Sequence, residues 1–224
     1  MFNLFISGEF KYFAAMQVVV FASETQKAEL APTNIDGLIW IESENEFLQH
    51  ASADAFLDLQ YRNTVQRNRL LTQLLPGLVI INSVTDTLQE TGPSFVRINA
   101  WNGFLASPMI EAACSNESIR KRAEVVFSFL GKTIGWLPDD AGFITARVVS
   151  MIINEAYLSL QEGVSTVDEI NTAMKLGTNY PHGPFEWAEK IGLQNIVALL
   201  HKLSQAQPRY TPAKLLLQEA NKAT

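Results

Sequence analysis

The side chains able to move protons or hold ions are few and scattered. The chain has three histidines, His50, His182 and His201, and one cysteine, Cys114. An imidazole titrates near neutral pH and is the commonest general base. These three fall in a helical stretch, a Pro-Gly turn and a late helix, and each reads as an ordinary surface or turn position. Cys114 lies in an apolar stretch with no histidine beside it, which suits a small buried residue better than a nucleophile. A single cysteine also excludes a disulfide framework and a cysteine-built zinc site, and no metal is expected. Dinucleotide sites use G-x-G-x-x-G after a first strand, so that backbone can approach a pyrophosphate at a helix N-terminus. Here the first apolar run, 1–7, ends at Gly8, and Gly8 alone stands for that pattern. Glu9 then puts a carboxylate where phosphates would lie, and Phe10 and Tyr12 are bulky. Glu24 could imitate a ribose-binding acid, although its spacing from Gly8 is short of the usual ~20 residues. Otherwise it is an exposed loop residue.

Alternating strands and helices must position these groups. Runs at 1–7, 17–22, 37–42, 55–59, 78–82 and 95–98 read as strands. Their unbroken apolar character suits strands buried on both faces, as in a parallel sheet. A helix after Gly8 has room for only about two turns, 10–16. Helical spacing occupies 44–51 and, most clearly, 64–75, where Val65, Leu70, Leu71 and Leu74 share a face. Asn63 is its expected N-cap and Pro76-Gly77 its stop. A helix at 117–131 and a short strand at 133–137 complete a three-layer α/β region. From Pro138 onward strand signals give way to helices at 143–162, 166–177 (capped by Ser165 or Thr166), 184–191, 193–205 and 212–223. Two domains follow, an α/β domain with a mostly parallel sheet over 1–137 and an all-α domain over 138–224.

Composition narrows the function. At 224 residues with 47% hydrophobic and 18% charged residues, the chain can bury a real core and is not disordered. A net charge of −6 argues against nucleic-acid binding. No apolar run reaches the roughly 18 residues of a membrane helix, and residues 1–16 carry Glu9 and Lys11, unlike a signal peptide. A soluble, cytoplasmic protein with no nucleic-acid or membrane partner is expected.

The second half carries an ordered set of motifs: DAGFITAR (140–147), NEA (154–156), EGV (162–164), EIN (169–171), Gly177, PHGPFE (181–186), GL (192–193) and RYTP (209–212). Together they resemble the C-terminal domain of the 3-hydroxyacyl-CoA dehydrogenase family. The likeness runs upstream more faintly. NAWNG (99–103) fills the family's His-Phe-Phe-Asn-Pro stretch, and Glu111, twelve residues beyond Asn99, falls on the family's Glu. INSVT (81–85) lies where the family has an Asn-Thr-Ser segment, and Arg67 where it has a cofactor-contacting Lys. The resemblance implies a reduced Rossmann-like first domain, NAD as cofactor, an acyl-CoA ligand and a homodimer formed through the helical domain. It implies catalytic positions at Asn99 (for the His), Glu111 (for the Glu that orients it), Asn102, and Thr85 or Ser83 near the Ser. It implies cofactor contacts from Gly8, Glu24, Arg67 and Ser83. A second family Asn is replaced by Ala146.

The family reaction passes a hydride from a 3-hydroxyl carbon to a nicotinamide while a base takes the hydroxyl proton. Asn99 cannot serve, because an amide does not take up a proton near pH 7. Three readings stand. The chain could be an active dehydrogenase with a replacement base, a non-catalytic relative that keeps an acyl-CoA or nucleotide pocket, or a structural partner in a larger assembly. The residue chemistry favours the second. Ile144, Val148, Val149, Met151, Ile152, Leu158 and Leu160 offer more apolar surface than one helix of a small domain needs, which suits self-association. Trp136, Tyr180, Phe185 and Trp187 read as packing residues.

Overall fold

The computed structural model describes residues 16–31 and 34–222. The expected strand at 1–7, Gly8 and Glu9 lie outside the described residues, as does the expected helix at 10–16 up to its last residue. The chain forms two compact units. Of the described residues, one holds those up to Ala100 together with Phe104–Asp139, and the other holds Trp101–Gly103 and those from Asp140 onward.

Among the described residues, seven strands build the first unit: β1 (Val18–Phe21), β2 (Leu38–Ile41), β3 (Ala55–Asp58), β4 (Leu78–Asn82), β5 (Val96–Ile98), β6 (Met109–Ala113) and β7 (Thr133–Trp136). They form one sheet in the order β2-β1-β3-β4-β5-β6-β7. Neighbours run parallel, with Val18 beside both Leu38 and Ala55, except that β6 is antiparallel to β5. Side chains alternate between the two faces. Val18, Val20, Leu57, Ile80 and Ile98 pack one core with Leu30, Ala123, Val126 and Phe127. Val19, Phe56, Val79 and Ile81 pack a second with Phe47 and Leu71. Burial on both faces is why these strands read as continuous apolar runs.

The covering elements are α1 (Glu24–Leu30), α2 (Val65–Thr72), the short α3 (Leu88–Thr91), α4 (Glu117–Phe129) and a 3-10 segment at Glu44–His50. Three details depart from the sequence expectation. The cap of α2 is Thr64, whose hydroxyl accepts the Arg67 N–H at 3.1 Å, and not Asn63. The α1 helix was not expected, because its seven residues are mostly polar, but a Ser23–Gln26 capping box starts it. The β6 strand was missed because its sequence, MIEAA, has little β-branched character. Gly37 sits at φ +89°, where a Cβ would lie 2.1 Å from the Met16 carbonyl oxygen, so the turn into β2 requires glycine.

The second unit is helical: α5 (Thr145–Gln161), α6 (Val167–Thr178), α7 (Pro184–Ile191), α8 (Leu193–Ser204), a 3-10 turn (Pro208–Tyr210) and α9 (Lys214–Lys222). The α5 helix buries Ala146, Ser150, Ile153, Asn154, Ala156 and Tyr157, and α7, α8 and α9 pack against it. Thr166 caps α6 through a capping box with Glu169. No helix among the described residues is long and apolar enough to cross a membrane.

Candidate functional site

The β1 strand lies between β2 and β3, so the chain leaves it on one side and returns on the other. Open parallel sheets bind ligands at such a switch point, outside the carboxyl ends of the strands. The sequence reading placed the phosphate-loop strand at 1–7 and its glycine at Gly8. In the sheet it is 18–21 that holds the switch-point position, and the turn after it is ASETQK (22–27). Counted along this turn, the three places of G-x-G-x-x-G are filled by Ala22, Glu24 and Lys27. Glu24 therefore lies in the turn itself, in the first turn of α1, rather than at a ribose-binding position. The acid just beyond β2, at the ~20-residue spacing of a ribose ligand, is Glu42. Lys27 bridges the two carboxylates, at 2.7 Å from Glu24 and 3.0 Å from Glu42, and they hold its ammonium above the ordinary lysine value.

Behind this ion triad, Gln26 reaches into the crevice and is 3% exposed. Its Nε2 donates to the carbonyls of Leu59 and Ala100, both at 3.0 Å. Its Oε1 accepts from the Ser23 N–H at 3.1 Å, the Ser23 hydroxyl at 3.2 Å and the Gln60 amide. Asn82, at the end of β4, joins the same two strand ends, donating to Leu59 O at 3.1 Å and accepting the Ala100 N–H at 3.0 Å.

Arg67 is 4% exposed and forks onto the fully buried Asp58, with Nε and Nη2 at 2.6 and 2.8 Å from its two oxygens. Its third nitrogen, Nη1, pairs with Glu44 of the 3-10 segment. Two of its nitrogens are thus hydrogen-bonded to Asp58, and the third is ion-paired with Glu44. Burial pushes the Asp58 carboxyl up to about 6, against the pull of Arg67. A cleft of about 350 Å³ opens beside this pair, lined by Phe21, Glu44, Gln60, Arg62, Thr64 and Arg67.

The expected catalytic positions lie along β4, β5 and β6. Asn99 and Glu111 are both buried, and the Asn99 side-chain amide donates to Glu111 Oε2 at 3.1 Å. The structure thus brings these two together, with an amide at the position where the resemblance implies an imidazole. The Ser83 hydroxyl donates to the Asp86 carbonyl at 2.8 Å, and Thr85 is half-buried in the same loop. Asn102 falls in the three-residue segment that belongs to the second unit. Sequence reasoning missed Arg97, which is fully buried and clamps this loop. Its Nε and Nη2 donate to the Ser83 and Val84 carbonyls at 2.9 and 3.2 Å, and its Nη1 pairs with Asp139 at 2.5 Å. Asp139 in turn accepts the Leu88 N–H at 2.8 Å. The available signal was a charge inside an apolar strand, Val-Arg-Ile. Asp58 gave a similar signal, while Gln26 gave none before the turn was located.

In the second unit, several motif residues hold the helices together. Asn154 accepts the Ala213 N–H at 2.8 Å and donates to the Thr211 carbonyl at 3.1 Å, tying α5 to the start of α9. Asn171 accepts the Phe185 N–H at 3.0 Å, and Lys175 pairs with Glu186 at 2.5 Å, joining α6 to α7. His182 lies edge-on to Trp187. Among the described residues no cluster of histidine, cysteine or acidic side chains could hold a metal ion.

Residues 142–223 match the family model of the 3-hydroxyacyl-CoA dehydrogenase C-terminal domain. The 3-hydroxyadipyl-CoA dehydrogenase of Escherichia coli (strain K12) is 41% identical over 111 residues, which is 49% of this chain and 23% of that protein. The chain therefore spans only a small part of that relative's length. A probable 3-hydroxybutyryl-CoA dehydrogenase of Bacillus subtilis (strain 168) is 26% identical over 212 residues, covering 87% of this chain and 74% of that protein. The fold resembles the crystal structure of (S)-3-hydroxybutyryl-CoA dehydrogenase from Ralstonia eutropha, with a TM-score of 0.72, 18% identity and coverage of 93% and 94% of the two chains. The resemblance to the 3-hydroxyacyl-CoA dehydrogenase family is strong in the second unit and extends, at lower identity, through the first.

Proposed function

We propose that this relative of the 3-hydroxyacyl-CoA dehydrogenases is a non-catalytic, acyl-CoA-binding and self-associating module that no longer performs NAD-dependent dehydrogenation. One observation carries the reading: Asn99, in the place of the base, donates its amide to Glu111. In the family reaction the C–H electron pair leaves as hydride while the O–H proton goes to the base. An amide can donate and accept hydrogen bonds at that position, but it cannot store the proton.

The fit of NAD to the first unit supports the same reading. The turn that would cradle the pyrophosphate carries Ala22, Glu24 and Lys27 in place of glycines, the acid beyond β2 is drawn to Lys27, and Arg67 is spent on Asp58 and Glu44. The α1 helix has only seven residues, and its Ser23–Gln26 box takes up the Ser23 and Gln26 N–H groups. These residues do not fit a dinucleotide. An acyl-CoA ligand is inferred from the CoA esters in the names of the relatives. Self-association is supported by apolar side chains left at the surface of the second unit, among them Ile144, Val148 and Leu176 at 56%, 49% and 83% exposure.

Calorimetric titration of the wild-type protein with acetoacetyl-CoA tests the ligand. Saturable binding at micromolar concentration is expected. No binding of the ester would leave self-association as the surviving part of the reading, and steady turnover with NADH would overturn it.

A further inference from the structure

We infer that the Gln26 side chain is a tethered occupant of the switch-point crevice, seated where sheets of this topology hold the inner part of a dinucleotide. The inference rests on the reading that the chain has given up NAD, and it names the group that fills the vacated place.

The argument starts from the strand ends. At a switch point the carboxyl ends of parallel strands splay apart, and their last carbonyls lose ladder partners. Ligand, water or side chain must satisfy them, because a buried carbonyl without a partner is costly. Here the carbonyls concerned are Leu59, just beyond β3, and Ala100, just beyond β5, and both N–H groups of the Gln26 amide go to them. The Gln26 carbonyl is saturated from the other side by Ser23 and Gln60. A primary carboxamide has two donors and one acceptor oxygen, and each is used. One side chain thereby ties the β1 turn to the ends of β3 and β5, with Asn82 extending the net to β4. The bonds come from the first turn of the helix that follows β1, the same element that approaches a dinucleotide in this fold. The two carboxylates of the Glu24–Lys27–Glu42 triad are exposed, whereas the Gln26 side chain is buried. The open cleft beside Arg67, lined by Phe21, Glu44, Gln60, Arg62, Thr64 and Arg67, shares Gln60 with this net.

A turn that had only lost its glycines would bind a dinucleotide weakly and regain it when glycines return. A turn whose seat is filled would stay closed until the occupant is removed. NADH binding, followed by its fluorescence, separates the two in wild type, in the double variant Glu24→Gly/Lys27→Gly, and in the triple variant that adds Gln26→Ala. Wild type and double variant are expected to be silent, and the triple variant is expected to bind at least about tenfold more tightly than the double. If the triple variant is folded but binds no better than the double, the inference is overturned while the loss of NAD stands. If the double variant already binds, the charges and not Gln26 close the site, and the inference is again overturned. Tight NADH binding by wild type would overturn both the inference and the functional reading beneath it. Should the triple variant be unfolded alone, it is refolded with millimolar NADH. Recovery of its circular dichroism supports the inference, and no recovery overturns it.

Discussion

Asn99 and Glu111 are bonded twice. The Asn99 backbone N–H donates to the Glu111 carbonyl at 3.0 Å, and the Asn99 side-chain amide donates to the Glu111 carboxylate at 3.1 Å. The first bond extends the antiparallel pairing of β5 and β6, and that pairing holds the two side chains together. Strand pairing thus sets an amide against a carboxylate at the two positions where the resemblance implies a base and its orienting Glu. In an Asn99→His variant the new imidazole is expected to titrate above its ordinary pKa of ~6.5, because the adjacent carboxylate favours its charged form. Proton NMR of the ring checks this, and a midpoint at or below 6.5 would contradict the geometry. The variant is still expected to be inactive with NADH, because the crevice is closed.

Asp58 gives a pH dependence of defined sign. Its carboxyl is raised from an ordinary 3.8 to about 6, chiefly by burial. The folded state thus holds this proton more tightly than the unfolded chain. The resulting stabilisation is fully present below about pH 4 and is lost as pH rises through 6. Carbon-13 NMR of the Asp58 side chain should show a midpoint near 6. Asp58→Ala strands a buried guanidinium and is expected to cost about 3 kcal/mol in urea unfolding. Glu44→Gln, at a half-exposed partner, should cost less than about 1 kcal/mol.

Gly183 and Asn171 are in tight contact. A Cβ on Gly183 would lie 2.2 Å from Asn171 Oδ1, the atom that accepts the Phe185 N–H at the start of α7. Gly183→Ala must expel that side chain and break the bond, so a loss of about 2 kcal/mol is expected from chemical denaturation. A neutral result would mean that α6 and α7 are not joined through this residue.

The exposed apolar side chains of the second unit test self-association. Replacing Val148 and Leu176 together by Glu should convert a dimer to a monomer in sedimentation velocity while leaving the helical circular dichroism unchanged. A monomeric wild-type protein would remove this part of the proposal.

Much of the fold was legible because burial writes itself into hydrophobic runs. The strands 18–21, 55–58 and 78–82 are buried on both faces, and α7 is framed by Gly183-Pro184 and Gly192. The α1 helix and β6 were hidden, since one is polar and held by a cap and the other is alanine-rich. The candidate site was legible in part. The Asn99–Glu111 spacing was visible through the resemblance, and its hydrogen bond follows from strand pairing. The expected phosphate turn at Gly8 lies outside the described residues, and the strand 18–21, which holds the switch-point position, has no glycine in the turn after it. The partners of Arg67 and Gln26 could not be read, since Asp58, Leu59 and Ala100 are brought to them only by the order of strands in the sheet.

The central claim is that the chain performs no NAD-dependent dehydrogenation, and the oxidation of NADH by purified wild-type protein in the presence of acetoacetyl-CoA tests it most directly. The account predicts no loss of absorbance above the protein-free control at neutral pH. Steady, enzyme-dependent oxidation that is abolished by Glu111→Ala would contradict it, and would mean that another group serves as the base at that carboxylate.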